Sequence, residues 1–261
     1  MVFINRFKKI MNEYFLELDN INKTFGKITA LKDICLKIGK NEIVGLIGDN
    51  GAGKSTLIKI ISGLHPPDSG DIYVNGEKKR KWTSEMAHKA GIETVYQDKA
   101  LSDQQPMYSN IFMGREICRF GSYIDIKKEK KEAQRLMNEM GFTSNFITPD
   151  SIVLNCSGGE REGIAITRAM YFQANLVILD EPMTALSILE TKKVFNFILK
   201  IKEKTSSCIL ITHNIYHAYE VSDRFIVLDR GTIKEVVNKS NISCQDLIDK
   251  MSNIASEEKS V

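Results

Sequence analysis

The stretch "GDNGAGKST", Gly48 to Thr56, sets Gly48, Gly51 and Gly53 around Asp49, Asn50 and Ala52 and closes on Lys54, Ser55 and Thr56. Glycine is required where backbone N–H groups turn inward around an anion, because a Cβ would block that conformation. The spacing G-x-x-x-x-G-K-[ST] is that of a phosphate-binding loop. In such a loop Lys54 reaches the β- and γ-phosphate oxygens and Ser55 ligates Mg2+. The helix that begins there points its positive end at the anion.

A second constellation is "LVILDEP", Leu176 to Pro182, where an apolar run ends in two carboxylates. At the C-terminal edge of a buried strand, Asp180 is placed to hold Mg2+ through water and Glu181 to polarise an attacking water as general base. Gln97 in "VYQD" and His213 in "LITHN" also follow apolar strands. The Gln97 amide suits both a metal ion and a water, and the His213 imidazole suits a γ-phosphate. Each has a bland alternative, an exposed glutamine and a capping histidine. A fourth stretch, "NCSGGEREG", Asn155 to Gly163, puts a hydroxyl and two glycines (Ser157, Gly158, Gly159) at the start of a helix, another place where N–H groups approach an anion.

These residues need a scaffold that brings strand ends together. "YFLELDNI", "LKDICLKI", "NEIVGLIG", "DIYVNGE" and "ETVYQ" read as strands, and "GKSTLIKIISGL" as a helix closed by Gly63. Between Gln97 and Ser157 the character becomes helical, with "KKEKKEAQRLMNEMGF" a charged amphipathic helix. "NLVILDE", "SCILITHN" and "RFIVLDRG" then give three more apolar strands separated by helices. That alternation implies an α/β domain built on a mainly parallel sheet covered on both faces, with a helical lobe inserted. The expected layout is an N-terminal extension over 1–12, the main domain over 13–240 with its lobe over about 98–165, and a short C-terminal helix with a frayed tail over 241–261. Met11 reads as a natural start, and the basic, broken apolar segment before it does not fit a cleaved signal.

The 36 basic and 33 acidic residues are too evenly balanced for a nucleic-acid-coating surface, so no nucleic-acid partner is expected. Five cysteines without a C-x-x-C pair give neither a zinc site nor a disulfide framework. No apolar run approaches the roughly 18 to 20 residues of a membrane span, so a membrane role needs a partner.

Phosphate loop, glutamine, "SGGE", Asp-Glu and histidine occur in that order, and over about Phe15 to Ile233 the chain resembles the nucleotide-binding subunit of ATP-binding-cassette (ABC) transporters. The resemblance implies a P-loop NTPase (RecA-like) core with an N-terminal antiparallel β subdomain and an inserted α-helical subdomain. It implies ATP and Mg2+ as cofactors, Lys54, Gln97, Glu181 and His213 as catalytic residues, and Ser55, Gln97 and Asp180 as metal ligands. It implies that residues 48–56 and Phe25 bind ATP, the latter by stacking on adenine; without the resemblance Phe25 reads as core at a strand end. "CSGGE" corresponds to the family's signature, so Ser157, Gly158, Gly159 and Glu160 cover the γ-phosphate held by the other chain of a head-to-tail homodimer.

Three positions depart from the family pattern. Cys156 stands for Leu, and Glu160 stands for Gln, adding a negative charge that the adjacent Arg161 could compensate. Ser187 stands where Asp is frequent, in the segment that crosses to the other subunit. The stretches "EMAHKAGIETVYQD", "NIFMGRE", "EPMTALSILETKKV" and "THNIYHAYEVSDRFIVLDRGTI" are similar to cassettes of importers for simple sugars of the ribose, xylose and fructose type. That implies two copies of this chain at the cytoplasmic face of the cell membrane, two integral permease subunits and a periplasmic or extracellular substrate-binding protein. An importer of nucleosides, amino acids or lipids, and a soluble non-transport ABC ATPase, are the alternatives. The stretch Asp98 to Glu116, beside Gln97, carries Met107, Tyr108, Ile111, Phe112 and Met113, which read either as ordinary core of the lobe or as the permease contact, with Tyr108 and Met113 as the residues to test.

Overall fold

The computed structural model describes residues 14–97, 100–142 and 146–256. The expected extension over 1–12 and the last residues of the tail lie outside them. The chain opens with a long hairpin, β1 (Tyr14–Phe25) and β2 (Ile28–Gly39), turning at Gly26 with φ of 60°. β4 (Ser69–Val74) and β5 (Glu77–Lys79) join it in an antiparallel sheet of order β2-β1-β4-β5. This is the expected N-terminal β subdomain.

The second sheet has the order β12-β11-β3-β10-β9-β6. Its strands are β3 (Ile43–Ile47), β6 (Ile92–Val95), β9 (Leu176–Asp180), β10 (Ser207–Thr212), β11 (Arg224–Asp229) and β12 (Thr232–Asn238). Only the β11–β12 pair is antiparallel. The all-buried strands β3 and β10 explain the continuous apolar runs of the sequence, since a parallel sheet is covered on both faces. Strand β9 divides its side chains accordingly. Leu176 and Ile178 pack toward α1 (Lys54–Ile61) and the β subdomain, while Val177 and Leu179 pack toward α5 (Gly158–Tyr171) and α6 (Ile188–Glu203). Each fully buried aliphatic side chain there contributes about 1.5–3 kcal/mol.

Between β6 and β9 lies the lobe, with α3 (Met107–Phe112) and α4 (Ile126–Met140), while α2 (Ser84–Lys89) precedes β6. In α4, Ala133, Leu136, Met137 and Met140 recur at helical spacing and are buried, Asp125 caps the start and Gly141, at φ of 86°, ends it. The lobe differs from the sequence reading in two ways. It carries a small hairpin, β7 (Cys118–Arg119) with β8 (Tyr123–Ile124), too short to show periodicity. Its expected end at 165 falls inside α5, which runs unbroken from the lobe into the core to Tyr171. The C-terminal helix α8 (Cys244–Ser256) is not an appendage. Ile242 and Leu247 are buried with Ile47, Phe225 and Ala218, the last on α7 (Ile215–Val221).

Candidate functional site

Parallel register brings the chemistry to one edge. Thr212 pairs with Ile47, Ile211 with Asp180, and Val95 with Leu179, so β3, β10, β9 and β6 end side by side. Gly48, His213, Glu181 and Gln97 follow these ends, where open α/β sheets bind ligands. A cleft of about 300 Å3 opens there, lined by Gly51, Lys54, Ser55, Gln97, Asp180 and Glu181 among others, with Ile28 to Ala30 of β2 as a wall. Larger cavities exist, one of about 630 Å3 beside Tyr14 and Arg224, but none of the sequence-predicted residues lines it.

The loop geometry requires its glycines. A Cβ on Gly48 would stand 2.2 Å from the Leu228 carbonyl oxygen, and Gly53 turns at φ of 104° with its Cβ position 2.7 Å from the Ala30 oxygen. Lys54 is buried and donates to the carbonyls of Gly48 at 2.6 Å and Asp49 at 2.9 Å. Burial holds the Lys54 pKa below its ordinary value, against the pull of Glu181, Asp49 and Asp180. Asp180 is held above the usual carboxylate range, by burial first and by the charge of Glu181 second.

Glu181 is fixed at the strand end in a left-handed conformation, φ 52°, which costs a non-glycine residue of order 1 kcal/mol. Its Oε1 accepts from the His213 backbone N–H at 3.0 Å and faces His213 Nδ1 at 2.9 Å; its Oε2 accepts from Thr184 at 3.4 Å. One oxygen is thus anchored and the other only weakly engaged. Thr184 has no motif signal and was missed by sequence reasoning. The Ser55 hydroxyl, the Gln97 amide and the Asp180 carboxylate form an oxygen donor set suited to a hard divalent cation. No group of three or more His, Cys, Asp or Glu residues is gathered among the described residues, so a cation here needs ligand or water oxygens as well.

Phe25 stands at the tip of the β1–β2 hairpin, 45% exposed, with His65 edge-on at 5.7 Å. It is not the core residue that its strand alone suggested. The residues Ser157 to Glu160 are not among those that line the cleft. Ser157 caps α5, accepting from the Glu160 N–H at 3.3 Å, while its own N–H donates to Glu160 Oε2 at 2.8 Å. Ser187 begins α6 with the same box, closed by Glu190. The compensation expected from Arg161 is supplied elsewhere. Arg161 pairs with Asp103 at 3.2 Å, and Lys193, one turn along α6 from Glu190, lies 3.6 Å from Glu160. Cys156 keeps an apolar contact, packing against the lobe core. Of the residues read as lobe core or permease contact, Met107, Ile111 and Phe112 are buried in that core; Tyr108 is half-buried and Met113 is exposed.

Residues 31–184, which span the loop, Gln97, the Ser157 helix and the Asp180–Glu181 strand end, match the ABC transporter family model. The chain belongs to the ABC transporter family. This cassette is 41% identical over 240 residues to the xylose/arabinose import ATP-binding protein of Sulfolobus acidocaldarius, covering 92% of this chain and 94% of that one. The fructose import ATP-binding protein of Rhizobium meliloti is 36% identical, with 90% and 93% covered. A ribose import ATP-binding protein of Caldanaerobacter subterraneus is 34% identical over 92% of this chain, but the cassette spans only 48% of that protein. Among solved structures, a nucleotide-free ATP-binding cassette superposes with a TM-score of 0.80 at 22% identity, covering 93% of this chain and 98% of the other. The P-loop core with its β subdomain and helical lobe is therefore the ABC ATPase fold, and the cassette binds ATP. No helix of the described residues is long and apolar enough to cross a membrane.

Proposed function

We propose that this chain is the ATP-hydrolysing subunit of an importer for a simple sugar, working as a head-to-tail homodimer at the cytoplasmic face of the membrane with separate permease subunits and an external binding protein. The observation that carries this reading is the 41% identity to a xylose/arabinose import ATP-binding protein over 94% of that protein's length. That match covers 92% of this chain, so it takes in the β subdomain and the lobe as well as the phosphate loop.

In this reading the loop from Gly48 to Thr56 surrounds the phosphates with N–H groups, and Phe25 offers its exposed ring to the adenine. Lys54 exchanges its bonds to the carbonyls of Gly48 and Asp49 for phosphate oxygens, which returns a desolvated ammonium to a negatively charged partner. Ser55, Gln97 and Asp180 would hold Mg2+, which would supply positive charge against the phosphates and the paired carboxylates. Glu181, oriented through Oε1 by His213, accepts a proton from the attacking water at Oε2. With its Nδ1 turned to Glu181, His213 has Nε2 left for the γ-phosphate. The Ser157 hydroxyl and the helix start left open by Gly158 and Gly159 reach the phosphate held by the partner chain, so loss of the γ-phosphate releases the dimer and drives the permease.

The test is extraction of the tagged chain from native membranes in mild detergent, followed by reconstitution of what co-purifies into liposomes. A polytopic membrane protein at equal stoichiometry and ATP-driven uptake of a pentose or hexose are expected. Recovery only from the soluble fraction, or uptake of a non-sugar substrate alone, would overturn the assignment.

A further inference from the structure

Two helices, α5 and α6, start side by side, each with a serine cap and a glutamate three residues on. The two boxes share a pattern and differ in what the glutamate does beyond it. Glu160 closes its own box with Oε2 and turns Oε1 toward Lys193. Glu190 closes its box with Oε2, accepting from the Ser187 N–H at 3.0 Å and the Ser187 hydroxyl at 2.8 Å. Its Oε1 then crosses to the other helix and accepts from the Gly159 N–H at 3.3 Å. One carboxylate therefore binds the starts of both helices.

The two glycines serve this contact directly. A Cβ on Gly159 would come within 3.1 Å of Glu190 Cβ and 3.3 Å of its Cα, and a Cβ on Gly158 would meet Leu186 Cδ2 at 2.5 Å. The approach of Ser157–Gly159 to the segment Leu186–Glu190 is thus tight within one chain: a side chain at Gly159 would push Glu190 away by a few tenths of an ångström, while at Gly158 the end of the Leu186 side chain would have to turn aside. The bonds from Ser187, Gly159 and Ser157 hold the Glu190 carboxyl down at about 2, so it stays charged across the working range.

We propose that Glu190 is a positioning residue for the reaction in the other subunit: it fixes the Ser157–Gly159 helix start at the angle presented to the partner's γ-phosphate and locks it to the Ser187 segment. This rests on the in trans reading given under Proposed function. Glu190 does not touch the nucleotide; it acts through Gly159 and Ser187. Losing it frees the helix start to turn relative to α6, and the cost falls on dimer closure, leaving nucleotide binding by the isolated chain untouched.

The experiment compares Glu190→Ala and Glu190→Gln with the parent, all in a Glu181→Gln background that does not turn over. Sedimentation velocity against ATP concentration with Mg2+ gives the dimerisation midpoint, a fluorescent ATP analogue on dilute monomer gives intrinsic affinity, and thermal melting gives stability. For Glu190→Ala a midpoint raised about tenfold is expected, with monomer affinity unchanged, and Glu190→Gln, which keeps one acceptor oxygen, should fall between. An unchanged or lowered midpoint would overturn the proposal. So would a rise matched by equal loss of monomer affinity, because that is a general folding effect. If the parent itself stays monomeric with ATP bound, the in trans reading fails and the role of Glu190 fails with it.

Discussion

The nucleotide cleft and the Ser157 helix start are both built from backbone N–H groups, glycines and a hydroxyl, yet they are finished to different degrees within one chain. In the cleft, four strand ends deliver loop, glutamine, carboxylates and histidine to one edge, and Glu181 already rests on His213. At Ser157 the same kind of donors face no such set; they are held by the chain's own Glu160 and Glu190. The head-to-tail dimer proposed above would join the two, with the helix start of one chain completing the cleft of the other.

The largest effect should come from the finished half. Glu181→Gln removes the proposed proton acceptor while keeping its size and shape, and steady-state ATPase assays should show kcat falling by about 100- to 10,000-fold. Equilibrium binding of ATP should be retained, and parallel loss of binding would mean that Glu181 is a structural ligand instead. The unfinished half comes second. Ser157→Ala should lower kcat by up to about 100-fold, the scale of removing one preorganised donor. ATP affinity of the dilute monomer should not change; a drop there would place Ser157 in the same subunit's cleft.

Smaller effects separate architecture from chemistry. Ser187→Ala deletes a cap and should cost about 1 kcal/mol, a few degrees of melting temperature for a chain of this size. The part of this carried by Glu190 has a defined pH window. Its folded pKa lies near 2 against an ordinary 4.5, so the charged form favours the folded state. That contribution is full above pH 4.5 and fades as pH falls through about 2. Melting curves of wild type and Glu190→Ala should accordingly converge on acidification. Least of all, Glu160→Gln should shift stability by less than about 0.5 kcal/mol, because the Lys193 pair is long and solvent-screened and glutamine still accepts from Ser157. A large change in turnover from this substitution would show that the charge at 160 acts on the partner's nucleotide.

The contrast also explains what was legible in the sequence. Most of the residues that line the cleft were named from the sequence, Ile28 to Ala30 excepted, because they follow strand ends, and buried strands announce themselves as apolar runs such as "LVILD" and "SCILIT". Spacing then fixes which residue follows each end. The Ser157 region was legible as a motif but not as a network. Its neighbours Glu190 and Lys193 lie 31 residues or more from Gly159 in sequence, and only the packing of α5 on α6 brings them there. The S-x-x-E spacing at both helix starts was an available signal for the caps, though it does not reveal a bond from one box to the other. Arg161 illustrates the converse error: adjacency along the chain suggested a partner for Glu160, while successive helical residues point to different faces, and Arg161 reaches Asp103. The apolar run at 107–113 was ambiguous for a related reason, since a six-residue helix shows too little periodicity to tell lobe core from docking face.

The most direct test of the central claim, that ATP is held between the cleft of one chain and the Ser157 helix start of another, is the mass of the Glu181→Gln protein in solution with ATP and Mg2+, measured by sedimentation equilibrium with and without a second substitution, Ser157→Arg. The account predicts an ATP-dependent dimer that Ser157→Arg abolishes while each chain still binds ATP. A monomer saturated with ATP, or a dimer indifferent to Ser157→Arg, would contradict it.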